Sequence, residues 1–283
     1  MTINLIGVIG GGQMGSGIAE VCARAGLDTI VVEVNDAAAE AAAERVRGSL
    51  DRAVGRGKIT QQDADELQAR IRFTTDFQAL ADRDFVVEAA SEVEKIKLDL
   101  FARVGAILDK PDAILASNTS SIPIVKLGAV SGRAGQVMGV HFFNPAPVMQ
   151  LIELIPSLTT APETMERVRA FVESLGKQPI EATDRAGFVV NSLLVPYLMS
   201  AIRMYEAGYA SAADIDRGMV MGCGHPMGPL ALSDLIGLDT IRAIGISMYD
   251  EFKEPLYSPP PLLDRMVDAG LLGKKTKQGF YPY

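Results

Sequence analysis

The sequence predicts an α/β chain: a doubly wound, mostly parallel sheet in residues 1–184, followed by a smaller all-α domain in residues 185–283. Three observations carry that reading. Short β-branched runs alternate with helical patterns through the first part. Runs such as DFVVEA are apolar on nearly every residue, which suits strands covered on both faces. From Arg185 onward, helical patterns and turn signals continue without a convincing strand run.

In order, INLIGVI (3–9) reads as a strand, 14–25 as a helix, and TIVVEV (29–34) as a second strand. The Ala/Glu/Arg-rich segment 37–56 reads as a long helix. Further strands are expected at 71–74, 85–89, 114–117 and 137–141. Beyond the boundary, GFVVNSLLVPYLMSAIRMYEAG reads as one long, largely buried helix stopped by Gly208. GCGHPMGP reads as a loop, and SDLIGLDTIRAIGISMYDEF as a helix pair.

The formal charge of -8 and a pI near 4.9 argue against a nucleic-acid partner. An anionic small molecule would need a local basic cluster or helix N-terminal amides. Cys22 and Cys223 show neither metal-ligand nor disulfide spacing, so they read as buried or idle thiols in a reducing compartment, and no metal is expected. MTINLIGVIGGG lacks a basic n-region, and the apolar stretch 188–202 is interrupted by Asn191, Ser192 and Pro196. These features predict a soluble, cytoplasmic protein without a membrane partner.

GGGQMG places Gly10, Gly12 and Gly15 at G-x-G-x-x-G spacing, between an expected strand and an expected helix. In that context Gly10 allows the tight turn, Gly12 lets the backbone approach a pyrophosphate, and Gly15 lets the helix pack closely on the strand. Glu33, 18 residues past Gly15, ends the second strand, where an acid accepts hydrogen bonds from the adenosine ribose. Its charge would repel a 2′-phosphate, so the cofactor expected in this Rossmann-type domain is NAD rather than NADP. A glycine turn without a ligand is the plainer alternative.

The chain has two histidines. His141 closes an expected late strand, at the edge where ligands gather in open α/β sheets, and SNTSS (117–121) follows a neighbouring strand to the same edge. A neutral imidazole suits a base that takes an alcohol proton as hydride leaves carbon. A carboxylate on its other nitrogen would fix the tautomer and stabilise the imidazolium. Glu153 stands in the apolar run LIELI, where a charge needs a partner. A structural histidine bonded to backbone is the alternative; it is the better reading for His225, which sits before Pro226 in a turn.

GGGQMGSGIAEVCARAG, FVVEA, ASNTSSIPI, GVHFFNPAPVMQLIEL, GFVVNSLLVPYLMSAIRMYEAG, GHPMGPLALSDLIGLDT and GKKTKQGFYPY together resemble the 3-hydroxyacyl-CoA dehydrogenase family, over essentially the whole chain. The resemblance implies His141 as catalytic base with Glu153 as its charge partner. Ser120 and Asn191 match the residues that hydrogen-bond the reacting oxygens, Asn191 being a second-domain contribution that implies a substrate cleft between domains. Glu92, Lys97, Asn144 and Lys275 match positions around the nicotinamide half of the cofactor. Ser49 and Arg56 match positions used for the CoA end, with Arg52 and Lys58 nearby. The resemblance further implies a short-chain (S)-3-hydroxyacyl-CoA as substrate. The apolar character of the C-terminal helices points to a homodimer.

Glu33 replaces the Asp of many members, and Ala146 and Gln150 stand where Val and Lys are frequent. Those departures touch fine cofactor and substrate preference. Two rival functions share the scaffold: a dehydrogenase of a free hydroxy acid or sugar acid, which needs no basic CoA cluster, and a non-catalytic NAD-binding protein, which needs no His141.

Overall fold

The computed structural model describes residues 3–283; Met1 and Thr2, the start of the expected N-terminal run, lie outside the described residues. The chain divides into two compact units, Met1–Asp184 and Arg185–Tyr283.

The first unit runs β1 (Leu5–Ile9), α1 (Gln13–Arg24), β2 (Asp28–Val32), α2 (Asp36–Gly55), α3 (Gln61–Ala69), β3 (Ile71–Thr74), β4 (Phe85–Glu88), α4 (Glu94–Ile107), β5 (Ile114–Ser117), α5 (Ile124–Val130), β6 (Val137–Phe142), β7 (Leu151–Pro156), α6 (Pro162–Ser174) and β8 (Gln178–Glu181). The strands form one sheet in the order β3-β2-β1-β4-β5-β6-β7-β8. Every neighbouring pair is parallel except β6 with β7. The strand order reverses between β1 and β4, which opens the crevice where such sheets take ligands.

The sheet interior follows the strand composition. β4, β5 and β6 are buried at every position, as expected of strands covered on both faces. Ile6, Val8, Ile18, Phe85, Ile114, Val140 and Phe171 belong to one continuous core. β2 stops at Val32, two residues before the expected end, because Val34 turns out to solvent at 81 % exposure. Among the elements that no expected range covered are α3, β7 and β8. α3 opens on a capping box between Thr60 and Asp63 and buries only Ala64. β7 holds the LIELI run. β8 is a polar edge strand carrying Pro179.

The second unit is helical: α7 (Val190–Glu206), α8 (Ala212–Cys223), α9 (Pro229–Ile236), α10 (Leu238–Phe252) and α11 (Pro261–Asp268). α7 starts three residues later than its apolar pattern suggests, because Gly187 and Phe188 take φ of +83° and +46° and form a turn before it. Gly237, with φ +104°, separates α9 from α10. Leu198, Met199, Ile202, Leu230, Leu238, Ile241 and Leu263 form this unit's own core. Two buried carboxylates fasten its tail: Asp234 accepts the N–H groups of Phe280 and Tyr281, and Asp216 accepts the Tyr281 hydroxyl at 2.8 Å. Among the described residues, no helix is long and apolar enough to cross a membrane.

Candidate active site

The expected phosphate cradle lies in the β1–α1 turn. Gly10 has φ +88°, and a Cβ there would lie 2.9 Å from the carbonyl oxygen of Ala89. A Cβ on Gly15 would lie 1.8 Å from the Gly10 oxygen, so the approach of α1 to the turn demands glycine. Gly12 is different: a Cβ there would meet nothing within 4 Å. Gly12 is also the N-cap of α1, without a side-chain cap or an acid in the first helical turn. A helix N-terminus left open in this way, beside a glycine facing empty space, fits a pyrophosphate.

Gly11 carries the restraints. Its N–H donates to Glu33 Oε1 at 2.5 Å, and its oxygen accepts from Ser16 Oγ at 2.7 Å and Arg45 Nη1 at 3.2 Å. Glu33 is thus held at the cradle mouth, one residue past β2, beside the position expected for the adenosine ribose. Sequence reasoning missed Gly11, Ser16 and Arg45; the small, buried Ser16 next to the glycines was the one legible signal.

His141 and Glu153 are brought together by strand register. They are direct partners across the antiparallel β6–β7 pair, so their side chains share one face. Nδ1 of His141 lies 2.7 Å from Oε2 of Glu153. His141 is 7 % exposed and Glu153 fully buried. With Glu153 ionised, Nδ1 carries the shared proton and Nε2 is the basic nitrogen. The Phe143 ring packs edge-on against the imidazole, centroids 4.7 Å apart. Asn118 Oδ1 accepts the Phe142 N–H at 2.8 Å, tying the end of β5 to that of β6.

The loop 143–150 joins β6 to β7. Asn144, which precedes a cis proline, accepts a hydrogen bond from Gln13 Nε2 at 3.1 Å, linking the loop to the first turn of α1. Lys177, which sequence reasoning passed over, donates from its buried ammonium to the oxygens of Ala146 (2.9 Å) and Met149 (2.7 Å). Burial, with the Arg24 charge adding to it, holds this ammonium below the usual lysine range.

Glu92 and Lys97 join a network anchored on Glu88, the last residue of β4. Lys97 is 1 % exposed, and its three donors meet Glu88 Oε1 at 2.6 Å, Glu92 Oε2 at 3.1 Å and the Ala90 oxygen at 3.4 Å. Lys97 is therefore a clamp between two carboxylates, with its donors already engaged. Glu88 also accepts from Ser117 Oγ at 2.7 Å and the Ala90 N–H at 2.6 Å. Glu92 accepts the Thr119 hydroxyl, the Ser120 N–H at 3.0 Å and the Ser121 hydroxyl at 2.9 Å, which fixes the loop carrying Ser120. Burial raises the Glu92 carboxyl, but the Lys97 charge and the Thr119, Ser121 and Lys97 hydrogen bonds outweigh it and leave it below the ordinary range.

Ser49 is half-buried on α2, and Arg52, Arg56 and Lys58 are exposed around the C-terminal end of that helix. In the second unit, Asn191 is buried in the first turn of α7, and Lys275 Nζ donates to Asp239 Oδ2 at 2.6 Å. His225 Nδ1 lies 3.1 Å from the Tyr197 hydroxyl.

Residues 5–185 match the model of the 3-hydroxyacyl-CoA dehydrogenase NAD binding domain, and residues 187–283 match that of the 3-hydroxyacyl-CoA dehydrogenase C-terminal domain. The chain is 52 % identical over 282 residues to a 3-hydroxybutyryl-CoA dehydrogenase of Mycobacterium tuberculosis, covering 99 % of each. Its fold superposes on the crystal structure of M. tuberculosis FadB2 with a TM-score of 0.99, at 52 % identity and 100 % coverage of both chains. On the (S)-3-hydroxybutyryl-CoA dehydrogenase of Ralstonia eutropha the TM-score is 0.94, at 44 % identity, covering 100 % of this chain and 99 % of that one. The chain belongs to the 3-hydroxyacyl-CoA dehydrogenase family.

Proposed function

We propose that this chain catalyses the reversible, NAD-dependent oxidation of an (S)-3-hydroxyacyl-CoA, chiefly short-chain 3-hydroxybutyryl-CoA, to the 3-oxoacyl-CoA. The observation that carries the reading is the cross-strand His141–Glu153 pair, set in the same sheet as a phosphate cradle with an acid at its mouth. When bound, NAD supplies the hydride acceptor. Gly10, Gly12 and Gly15 with the N-terminus of α1 hold its pyrophosphate, and Glu33 holds the ribose and disfavours a 2′-phosphate. Glu92, Lys97, Asn144 and Lys275 serve the nicotinamide half of the cofactor, with Lys97 clamping Glu92.

In the oxidation, His141 Nε2 takes the hydroxyl proton while Glu153, on Nδ1, holds the ring orientation and stabilises the imidazolium. In the reverse direction the same nitrogen returns the proton. Ser120 and Asn191 hydrogen-bond the C3 or thioester oxygen and stabilise charge as it develops there. Ser49, Arg56 and Lys58 bind the anionic CoA portion. That cluster separates this reading from a free hydroxy-acid dehydrogenase: free CoA should inhibit competitively with the acyl substrate, and absence of inhibition would favour the free-acid enzyme.

The helical unit also forms the interface of a homodimer in the cytoplasm. Leu193, Met204, Met221, Leu235 and Ile246 are large apolar side chains left exposed on that unit, which supports burial against a second copy. Light scattering at micromolar concentration should give twice the chain mass; the monomer mass would overturn the dimer.

A further inference from the structure

The cluster at the ends of β4 and β5 has an unbalanced charge. Two carboxylates, Glu88 and Glu92, share one ammonium, that of Lys97. Three donors converge on the Glu88 carboxyl: the Lys97 ammonium, the Ser117 hydroxyl and the Ala90 N–H. Glu92 lies below the ordinary carboxylate range and is ionised at neutral pH. One negative charge therefore remains on the cluster; Glu88 and Lys97 are 0 % and 1 % exposed, whereas the Glu92 side chain, 39 % exposed, meets solvent and is partly screened.

The topology says which part of a dinucleotide this charge faces. The pyrophosphate cradle follows β1, at the point where the strand order reverses. Glu33, after β2, marks the adenosine side. The other half of the cofactor then extends over β4 and β5 towards His141 on β6, where hydride and proton must leave the same alcohol. Glu88, Glu92 and the Ser117–Ser121 loop occupy those two strand ends.

Resting on the NAD reading above, we propose that the Glu88–Lys97–Glu92 cluster uses its uncompensated charge to favour the oxidised, cationic nicotinamide over the reduced, neutral one. The two redox forms share the same phosphates and sugars, so the cradle and Glu33 act on both alike. Only the ring charge differs, and only a fixed charge near it discriminates. A unit charge within a Debye length of the ring is worth about 2- to 30-fold in the ratio of the two affinities.

The test is the pair of dissociation constants for NAD+ and NADH, measured by calorimetry and by NADH fluorescence. It uses wild type, Glu92→Gln and Ser121→Ala, with folding matched first by circular dichroism and Tm. Ser121→Ala removes a hydrogen bond to Glu92 but no charge. In Glu92→Gln the NAD+ constant should rise at least about 3-fold more than the NADH constant. In Ser121→Ala the ratio should stay at the wild-type value. An equal change in both constants for Glu92→Gln, or the same ratio shift in both variants, would overturn the inference. If wild type bound neither dinucleotide, the NAD reading itself would fall instead.

Discussion

His141 and Glu153 stand directly opposite each other on β6 and β7, Nδ1 2.7 Å from Oε2, at the one antiparallel step in the sheet. The antiparallel register sets a carboxylate behind the imidazole without any loop having to position it. His141→Gln should lower kcat by about 10²- to 10⁴-fold while leaving NAD affinity intact. Glu153→Gln keeps the shape but removes the charge behind the ring, so kcat should fall with little change in the Kd for NAD. Steady-state kinetics with NAD titrations check both; an unchanged kcat in His141→Gln removes it from the mechanism.

Gly12 and Gly15 belong to one motif but answer to different forces. Gly15→Ala drives a methyl into the Gly10 carbonyl, a backbone atom that cannot give way, so stability should fall by about 1–3 kcal/mol or more. Gly12→Ala meets open space, so its stability should change by no more than about 1 kcal/mol while NAD affinity drops. Thermal melts beside NAD titrations separate the two. Equal loss of stability in both variants would contradict the account of Gly12.

Glu33 is fixed by the Gly11 N–H at the cradle mouth. Glu33→Ala should weaken NAD and raise the ratio of NADP to NAD activity, because the charge opposing a 2′-phosphate is gone. A ratio that stays fixed would remove Glu33 from ribose recognition.

Cys22 is buried in the core of the first unit, and burial pushes its thiol up to about 12. In a Cys223→Ser variant, Ellman's reagent at pH 8 should find no reactive thiol in the folded protein and one after unfolding. Rapid reaction of the folded variant would mean that α1 is not packed as described.

The parts legible in the sequence were those with a local signature. The glycine spacing between strand and helix announced the tight β1–α1 turn, and β3 and β5 match their expected bounds. β7 escaped because Glu153 interrupts its apolar run, and only pairing with His141 across the sheet explains a charge there. β8 escaped because a polar edge strand with Pro179 has no hydrophobic signature. Glu88 passed as one letter in an apolar strand, since its partner Lys97 is nine residues away and meets it only in three dimensions. Lys177 was equally silent: its ammonium answers backbone oxygens from a distant loop, which no side-chain pattern records.

The reaction itself is tested most directly by NADH consumption with acetoacetyl-CoA, with acetoacetate and NADPH as controls. The account predicts rapid turnover with the thioester and NADH, and little with acetoacetate or NADPH. Turnover of acetoacetate in place of the thioester, or no turnover with any 3-oxoacyl-CoA, would contradict it.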